Sequence, residues 1–439
     1  MGCGMIHKLL PLRKQAEVRD RWLAARLDRL LPGLMKEAGI DMWIIASQEN
    51  NEDPVMKTLL PPPLLGSSRK TILLFYLKND ETVERISLGR PGFAIDKVYK
   101  SVWLKQVDSD WSKFALLSPD KGIFESTGQP ETQVECLKRI VCERSPNKIG
   151  LNYSSNTAYG DGISHGNYSM IVEGLGKENA AKIVSAEALC VRWLETRLPE
   201  EIEVMGGTIA FAADLLQEAL SQNVIHPGIT TTSDIEWWTM QRCTDLGLKP
   251  WFPFMAAIRR KGAAGLSGDN IVQEGDIIHF DIGFEYLGLC TDLQGNAYVL
   301  RRGEKEPPAG IVYLFEQGKL LQDILAKEIV VGKSGNEILA ASLAEAAEKG
   351  IDAMIYSHPL GFHGHSAGPS IGRVDNQKFL KTSGEGSIND NTCYAMELNV
   401  SGRIPEWEGQ LLMLGIETDI VVSGGNVEFF YRQDKLYLL

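Results

Sequence analysis

The second part of the chain contains a weak internal repeat, and this repeat limits the folds that the sequence can adopt. Long helices are predicted at about residues 199–221 and 309–328, and each leads through a glycine and a polar segment into a further helix. The corresponding positions of the two copies are Gly228, Asp234, Ile235 and Gly247 in the first and Gly332, Glu337, Ile338 and Gly350 in the second. A duplicated α+β unit predicts two halves related by pseudo-twofold symmetry.

The first part of the chain has a different pattern. Apolar residues recur at helical spacing over residues 17–38, with Pro32 as a possible interruption, and a buried strand is predicted directly after Gly39. Alternating strand and helix patterns then continue to about residue 190, as in an α/β domain. The 439 residues, 44% of them hydrophobic, suffice for two separate cores. We therefore predict one domain over residues 1–190 and a second over residues 191–439.

Bulk composition excludes several classes of function. A net charge of -12 argues against nucleic acid or an anionic membrane as the main partner, and no apolar run is long enough to span a membrane. The seven cysteines are scattered and never form C-x-x-C, which fits reduced thiols in a cytoplasmic protein. The N-terminal segment lacks the long apolar region of a signal peptide, although Cys3 leaves open a trimmed lipoprotein or export signal.

Five ionisable residues of the second domain lie on or beside short apolar segments. They are Asp281, Asp292, His358, Glu397 and Glu417. A carboxylate inside an apolar strand is costly unless it is paired or bound to a metal. An oxygen-rich set with one imidazole suits Mn²⁺, Zn²⁺, Co²⁺ or Fe²⁺. Four carboxylates exceed what one catalytic ion usually takes, so we predict two divalent ions at the seam between the two halves.

The segments around these residues resemble the motifs of the pita-bread metallopeptidase family, which includes aminopeptidase P, prolidase, methionine aminopeptidase and creatinase. The family pattern D-x-G-x-x-x-x-G-x-x-x-D runs from Asp281 to Asp292, and S-H-x-L-G-x-x-x-H runs from Ser357 to His365. The glutamate-bearing strand is matched at Glu397. The pattern I-E-D-x-I-V is matched at residues 416–421, with Thr418 in place of the first aspartate. The four motifs occur in the family's order, which makes the combination specific.

The resemblance covers about residues 190–439 and implies an α+β protein, with a pita-bread domain after a creatinase-type α/β domain. It implies a hydrolase with two metal ions, of the Xaa-Pro aminopeptidase or prolidase kind, acting on a short peptide and assembled as a homodimer. Asp281 would chelate one ion, His358 and Glu397 would hold the other, and Asp292 and Glu417 would bridge them. The expected nucleophile is a water or hydroxide shared by the ions. Metal affinity should fall as the pH drops through the range where imidazole becomes protonated.

Four histidines lie near the predicted ligands in sequence. The segment around His365 also resembles the metal-binding histidine segment of methionine aminopeptidase, but the Ser-His-x-Leu-Gly frame favours His358 as the ligand. His365 then corresponds to the family's second histidine, which hydrogen-bonds the substrate or the tetrahedral intermediate. His363 is an open candidate for substrate binding. His279 shares a strand face with Asp281 and is interpreted as a hydrogen-bonded structural or supporting residue.

The sequence departs from the peptidase pattern at positions that handle substrate. Leu266 and Met354 replace two histidines, and Gly415 replaces the arginine that aminopeptidase P carries two residues before its last glutamate. Leu398 stands where that pattern has proline. Because specificity depends on such residues, a non-peptidase enzyme remains an alternative, either creatinase-like or a metal-dependent lyase acting on a small metabolite. A non-catalytic binding protein is a third possibility.

Overall fold

The computed structural model describes residues 9–89, 92, 94–103, 131–263, 266 and 268–439. Its contacts define two compact units, one spanning Leu10–Leu194 and the other beginning at Glu195 and ending at Leu439. None of the described helices combines the length and the apolar composition needed to cross a membrane. The six cysteines in the described ranges are unbridged, and Cys3 lies outside them.

The first unit is built on one mixed six-stranded sheet. Its strands are β1 (Met42–Gln48), β2 (Lys70–Leu77), β3 (Val83–Ser87), β4 (Lys100–Ser101), β5 (Ile149–Leu151) and β6 (Ile183–Ser185). Its helices are α1 (Leu12–Ala25), α2 (Leu31–Ala38), α3 (Pro54–Leu59), α4 (Gln133–Arg144), α5 (His165–Ala180) and α6 (Glu187–Glu195), the last of which ends at the first residue of the second unit. The strand order is β4-β3-β2-β1-β5-β6. β1 lies antiparallel to β2 and parallel to β5, so the α/β pattern predicted here forms a mixed sheet.

The helix predicted over residues 17–38 is longer than expected and continues past its proline. A π-helical turn at Arg26–Leu30 joins α1 to α2, and Pro32 lies in the first turn of α2. The π-helical turn closes with a hydrogen bond from the Leu31 N–H to the carbonyl oxygen of Arg26, and the helix continues past Pro32, which has no N–H to donate. Gly39 ends α2 with φ 63°, a conformation that glycine adopts without a steric penalty.

The second unit combines two pairs of helices with largely antiparallel sheets. The helices are α7 (Pro199–Ala219), α8 (Thr232–Asp245), α9 (Ala309–Glu328) and α10 (Gly335–Glu348). The strands are β7 (Lys249–Pro250), β8 (Met255–Arg259), β9 (Ile277–Ile282), β10 (Phe284–Tyr286), β11 (Leu289–Cys290), β12 (Leu293–Tyr298), β13 (Asp352–Ile355), β14 (His358–Leu360), β15 (Thr392–Ile404), β16 (Gln410–Ser423), β17 (Asn426–Phe429) and β18 (Tyr437–Leu438). The sheet orders are β18-β12-β9-β8, β13-β15-β16-β17 with β14 also paired to β15, and β11-β10-β7.

The repeat predicted from the sequence corresponds to equivalent helix boundaries. α8 begins with a capping box between Thr231 and Asp234, and α10 begins with one between Ser334 and Glu337. In each, the hydroxyl accepts from the backbone N–H three residues on, and the carboxylate accepts from the N-cap N–H. The paired glycines all have positive φ: Gly228, Gly247, Gly332 and Gly350. Each helix pair leads to an antiparallel strand pair, β9 with β12 and β15 with β16, which confirms the duplicated organisation.

The long helix α9 packs against the strand that carries the last predicted ligand. Gly318 on α9 faces Ile416 on β16, and a Cβ at Gly318 would lie 2.1 Å from Ile416 Cδ1. Ile416 is buried in the apolar core with Phe315 and Val400. Because neighbouring residues of a strand point to opposite faces, this packing directs Glu417 away from α9 and toward the other sheet.

Candidate metal centre

Short strands and their ends bring the five predicted ligands together. Asp281 lies on β9, and Asp292 directly precedes β12. His358 opens β14, while Glu397 on β15 is paired directly with Glu417 on β16. Residues paired across two strands share one face of the sheet. The two glutamates therefore project together toward the aspartates from the other half of the repeat.

The ligand atoms form two overlapping groups that share Glu417. One group consists of Asp292, His358 and Glu417, and the other of Asp281, Glu397 and Glu417, with the ligand atoms of each group within 4.8 Å of one another. His358 Nε2 lies 3.5 Å from Asp292 Oδ2 and 4.0 Å from Glu397 Oε2. Glu397, which is grouped with Asp281, therefore also lies near the group that contains His358. Its assignment to the same ion as His358 stays a prediction.

Several ligand atoms are buried without a hydrogen-bond partner among the described residues. These atoms are Asp281 Oδ1, His358 Nε2, Glu417 Oε1 and Glu417 Oε2. His358 Nδ1 lies 3.1 Å from the carbonyl oxygen of Pro359. Nδ1 therefore donates, and Nε2 carries the lone pair that a metal requires. Orphaned buried acceptors are costly, and divalent cations would satisfy all of them, so the residues fit the predicted metals.

Burial makes this cluster electrostatically unfavourable on its own. Burial raises the pKa of Asp281 to about 7 and, with repulsion from Asp281, the pKa of Glu397 to about 8. The pKa values of Asp292 and Glu417 are raised well above the ordinary range by burial and by the neighbouring carboxylates. Burial, with the nearby His365, lowers the pKa of His358 to about 4. The carboxylates therefore hold protons unless cations replace them.

Two polar residues outside the predicted ligand set support the predicted ligands. Asp419 Oδ2 accepts a hydrogen bond from the backbone N–H of Asp292 at 3.0 Å. Gln294 Nε2 donates to Asp281 Oδ2 at 3.3 Å and to Glu397 Oε1 at 3.0 Å, which links ligands from the two halves of the repeat. Gln294 lies two residues after Asp292, and Asp419 lies two residues after Glu417. Asp419 belongs to the motif matched at residues 416–421, and the period-two spacing of a strand was the signal that could have found Gln294.

The loop at residues 361–368 places His365 beside His358. Their ring centroids are 4.6 Å apart with nearly perpendicular planes, and His365 is exposed to solvent. His363 is half-buried in the same loop, and its carbonyl oxygen accepts from the Gly361 N–H at 3.1 Å. The indole of Trp251 lies edge-on to His365 with ring centroids 5.4 Å apart. Trp251 thus forms an aromatic wall next to the exposed histidine.

Trp251 also approaches the strand end that carries Asp292. Its Nε1 donates to the carbonyl oxygen of Thr291 at 2.8 Å. A Cβ at Gly364 would lie 2.2 Å from Trp251 Cζ2, so only glycine allows the histidine loop to approach the indole this closely. The indole therefore fixes the distance between the Asp292 strand end and the His365 loop.

Replacing Gly364 with alanine is expected to destabilise the protein by about 1–3 kcal/mol, because the added methyl group overpacks the contact with Trp251. Denaturant unfolding measures this effect. The control is Gly207→Ala in α7, where no atom lies within 4 Å of the new Cβ, and where alanine should stabilise by about 0.5–1 kcal/mol. Equal stabilities of the two variants would contradict this packing.

Two of the departures from the peptidase pattern meet beside the metal centre. Met354 on β13 is paired with Asn399 on β15, which is paired in turn with Gly415 on β16. This row lies two residues along the strands from the Glu397–Glu417 pair, on the same face. Leu266, the third replacement, lies between β8 and β9 and is half-buried. The altered positions Met354 and Gly415 thus border the predicted ligands.

Comparison with known proteins bears on the family to which the second unit belongs. The model of the family described as Metallopeptidase family M24 matches residues 206–424. An uncharacterized peptidase, YqhT of Bacillus subtilis (strain 168), is 22% identical over 299 residues, which cover 66% of this chain and 75% of that protein. Residues 206–424 therefore form a domain of metallopeptidase family M24, and the resemblance stated from the motifs is confirmed.

Solved structures show the same fold. An X-Pro aminopeptidase from Thermotoga maritima MSB8 has a TM-score of 0.62 at 17% identity, over 93% of this chain and 100% of that chain. A dipeptidase from Pyrococcus horikoshii OT3 has a TM-score of 0.60 at 17% identity, over 94% and 100%. A Xaa-Pro dipeptidase from Bacillus anthracis has a TM-score of 0.57 at 15% identity, over 97% and 100%. The predicted α+β class with a pita-bread domain is thereby confirmed.

Proposed function

We propose that this chain is a metal-dependent peptidase that cleaves short peptides, with Xaa-Pro bonds as the first substrate class to examine. The observation that supports the proposal best is the convergence of orphaned ligand atoms from both halves of the repeat on Glu417. A carboxylate shared by two ligand groups is the usual arrangement where two cations lie about 3.5–4 Å apart. We propose Mn²⁺, Zn²⁺, Co²⁺ or Fe²⁺ for both positions, because the ligand set is permissive.

Several residues of the protein itself would take part in the reaction. Bound cations would supply a water of lowered pKa and would polarise the scissile carbonyl group. His365, which is exposed and adjacent to His358, would donate a hydrogen bond to the oxygen on which negative charge develops. Trp251 would cover the same side of the site with an apolar surface and limit the access of water. His363, in the same loop, is proposed to contact substrate.

A second candidate is a non-peptidase enzyme on the same scaffold, acting on a small metabolite. The observation that favours it is the altered row of Met354, Asn399 and Gly415 beside the ligands, where the peptidase pattern has a histidine and an arginine. Residues that border the reacting groups set which substrate is accepted. Turnover of Xaa-Pro dipeptides by the purified protein would make this alternative unnecessary.

The assembly proposed by analogy with the family is a homodimer with a short peptide or a small molecule as substrate. Sedimentation velocity of the purified chain tests the oligomeric state directly. A single species at the monomer mass of 48.6 kDa over the working concentration range would refute the dimer. The location of the protein in the cell remains a prediction from the cysteine pattern.

The first experiment combines metal analysis with a substrate panel. Purified protein loaded with Mn²⁺, Co²⁺ or Zn²⁺ is expected to hold about two ions per chain and to cleave Xaa-Pro dipeptides. His365→Ala should retain the metal and lose turnover by roughly 100-fold, because it removes one stabilising donor. Two bound ions without cleavage of any peptide would refute the peptidase and leave the small-metabolite enzyme. A protein that binds no divalent ion would refute both enzymes.

A further inference from the structure

The edge strand β8 carries an arginine on the side of the metal centre. β8 is the last strand of its sheet, and its residue Met255 is paired with the predicted ligand Asp281 on β9. Arg259 lies four residues after Met255 and is paired with Ile277, so it shares a face of the sheet with Asp281. A guanidinium and a predicted metal ligand therefore lie on one face of the same strand pair.

The two adjacent arginines at the end of β8 differ in their partners. Arg260 faces the other side, where its Nε and Nη2 donate to the two carboxylate oxygens of buried Asp276, each at 2.7 Å. Arg259 is half-buried and forms no ion pair with any carboxylate of the described residues. Within the same residues its guanidinium has one hydrogen bond, from Nη1 to the carbonyl oxygen of Ile258, which is long at 3.4 Å. Because a guanidinium has five N–H donors, most of those of Arg259 are open to a ligand.

Arg259 lies near the imidazole that contacts the opposite sheet. Burial lowers the pKa of His279 to about 4, a contact with Asn296 opposes this shift, and the charge of Arg259 adds to it. His279 also contacts β16, where a Cβ at Gly415 would lie 2.9 Å from His279 Cε1. The imidazole is thus near both the guanidinium and the strand that carries the predicted ligand Glu417.

The β8 edge is open to solvent on this face. Met255 is 55% exposed, although its partner Asp281 is only 9% exposed. Ala257 lies between Met255 and Arg259 on the same face, is half-buried, and has only a methyl side chain. A group lying over Ala257 therefore meets an exposed apolar side chain at one end and a guanidinium at the other.

The start of β16 borders the same edge. Gln410 Nε2 donates to the carbonyl oxygen of Arg260 at 3.1 Å, which brings the end of β8 against the start of β16. Leu411 and Met413, which follow on that strand, are 59% and 44% exposed. The surface next to Arg259 thus includes exposed side chains of both strands.

We propose that Arg259 is a specificity-determining residue that binds a carboxylate of the substrate at the open edge of β8. This proposal rests on the proposed function as a metal-dependent enzyme and specifies a group that its substrate carries. The planar guanidinium matches a carboxylate, to which it donates two parallel hydrogen bonds. The acidic groups of the metal centre favour a single negative charge over a more highly charged anion at this distance.

The spacing along β8 suits a short substrate. Four residues of an antiparallel strand span about 14 Å, which separates Arg259 from the residue paired with Asp281. The long arginine side chain can cover part of this length. A molecule of dipeptide size that reacts at the metal centre can therefore place its carboxylate on the guanidinium.

Ligand-observed NMR on the Zn²⁺-loaded protein tests the subsite without requiring turnover. The probes are cyclopentanecarboxylate and cyclopentanecarboxamide, which share a ring and differ in charge. The carboxylate is expected to bind about tenfold more tightly than the carboxamide, as one charge-assisted hydrogen bond permits. Equal binding of the two probes to the wild-type protein would overturn the proposal.

A carboxylate can also bind a metal ion directly, and variants of Arg259 separate the two modes. Arg259→Met removes the charge and keeps a long side chain, so it should weaken carboxylate binding by about tenfold at unchanged zinc content. The matched control is Arg302→Met, which removes an exposed arginine from the turn after β12 and should leave binding unchanged. Arg259→Gln decides the question if Arg259→Met fails to fold or to hold zinc. Unchanged carboxylate binding in the deciding variant would overturn the proposal.

The outcome is separable from the proposed peptidase activity. A preference for the carboxylate that depends on Arg259, in a protein that cleaves no peptide, would support the subsite and refute the peptidase. Cleavage of Xaa-Pro dipeptides by a protein whose carboxylate binding is independent of Arg259 would do the reverse.

Discussion

Replacing Glu417 with glutamine is expected to abolish tight metal binding and to stabilise the metal-free protein at the same time. Glu417 belongs to both ligand groups, so its loss should lower kcat/KM by at least about 100-fold, as removal of a metal-supporting group does. In the metal-free state, burial and neighbouring carboxylates raise its pKa far above the ordinary range. The neutral amide avoids that cost and should add roughly 1–3 kcal/mol to the free energy of unfolding near neutral pH.

The matched control is Glu428→Gln on the neighbouring strand β17, where the side chain is exposed. This variant should keep the wild-type metal content, turnover and melting temperature, because exposed charges contribute little to stability. Calorimetry of both variants, with chelator and with added Mn²⁺, separates the two effects. A Glu417→Gln protein that is destabilised without metal, or that is stabilised by Mn²⁺ as much as wild type, would contradict the assignment of Glu417 as a shared ligand.

The metal-free protein is expected to lose stability as the pH rises from about 5 to 8. The pKa values of Asp281 and Glu397 are raised from 3.8 and 4.5 to about 7 and about 8. Between the ordinary and the raised values, the folded state keeps protons that the unfolded state releases, so the free energy of unfolding falls with rising pH. Cations replace these protons, so stabilisation by added Mn²⁺ should be larger at pH 8 than at about pH 6.

Urea unfolding at fixed ionic strength, with chelator and with Mn²⁺, measures this dependence. The sequence predicts that imidazole protonation controls the loss of metal in acid, but burial lowers the pKa of His358 to about 4. Because the raised pKa values of Asp281 and Glu397 lie within the working range, we expect these carboxylates to release metal at a higher pH than His358 does. Glu417→Gln should show a shallower slope than wild type. A metal-free stability that is constant or rises over this range would refute the electrostatic account of the site.

The local signals in the sequence predicted much of the second unit. α7 begins at Pro199 and α10 follows the polar segment of its repeat copy, because helix caps and positive-φ glycines depend on residues close together in the chain. The same local reasoning underestimated the first helix, which begins at Leu12 and continues past Pro32 after a π-helical turn at Arg26–Leu30. The position of Pro32 in the sequence does not show that a π-helical turn precedes it, so the continuation of the helix could not be predicted.

The five predicted ligands were accessible from the sequence because each lies in a motif with its own spacing. Their convergence is seen in the structure, but the division of ligands between two ions is not fixed by distance alone, since Glu397 lies near both groups. Gln294 was not predicted as a site residue, and the segment from Trp251 to Phe254 was interpreted only as core or pocket wall. Their contacts with Glu397 and His365 join segments far apart in the chain.

The sequence by itself determined the duplicated α+β organisation, the order of the metal-binding motifs and the substitutions at Leu266, Met354, Leu398 and Gly415. These features depend on short spacings and on residue chemistry, both of which can be read from the sequence without knowledge of the fold. Only the tertiary structure decided that Met354 and Gly415 share a row beside the ligands and that His279 and Gln294 lie against the glycine. Strand register and the approach of separate sheets decide such contacts, and neither is encoded within a single motif.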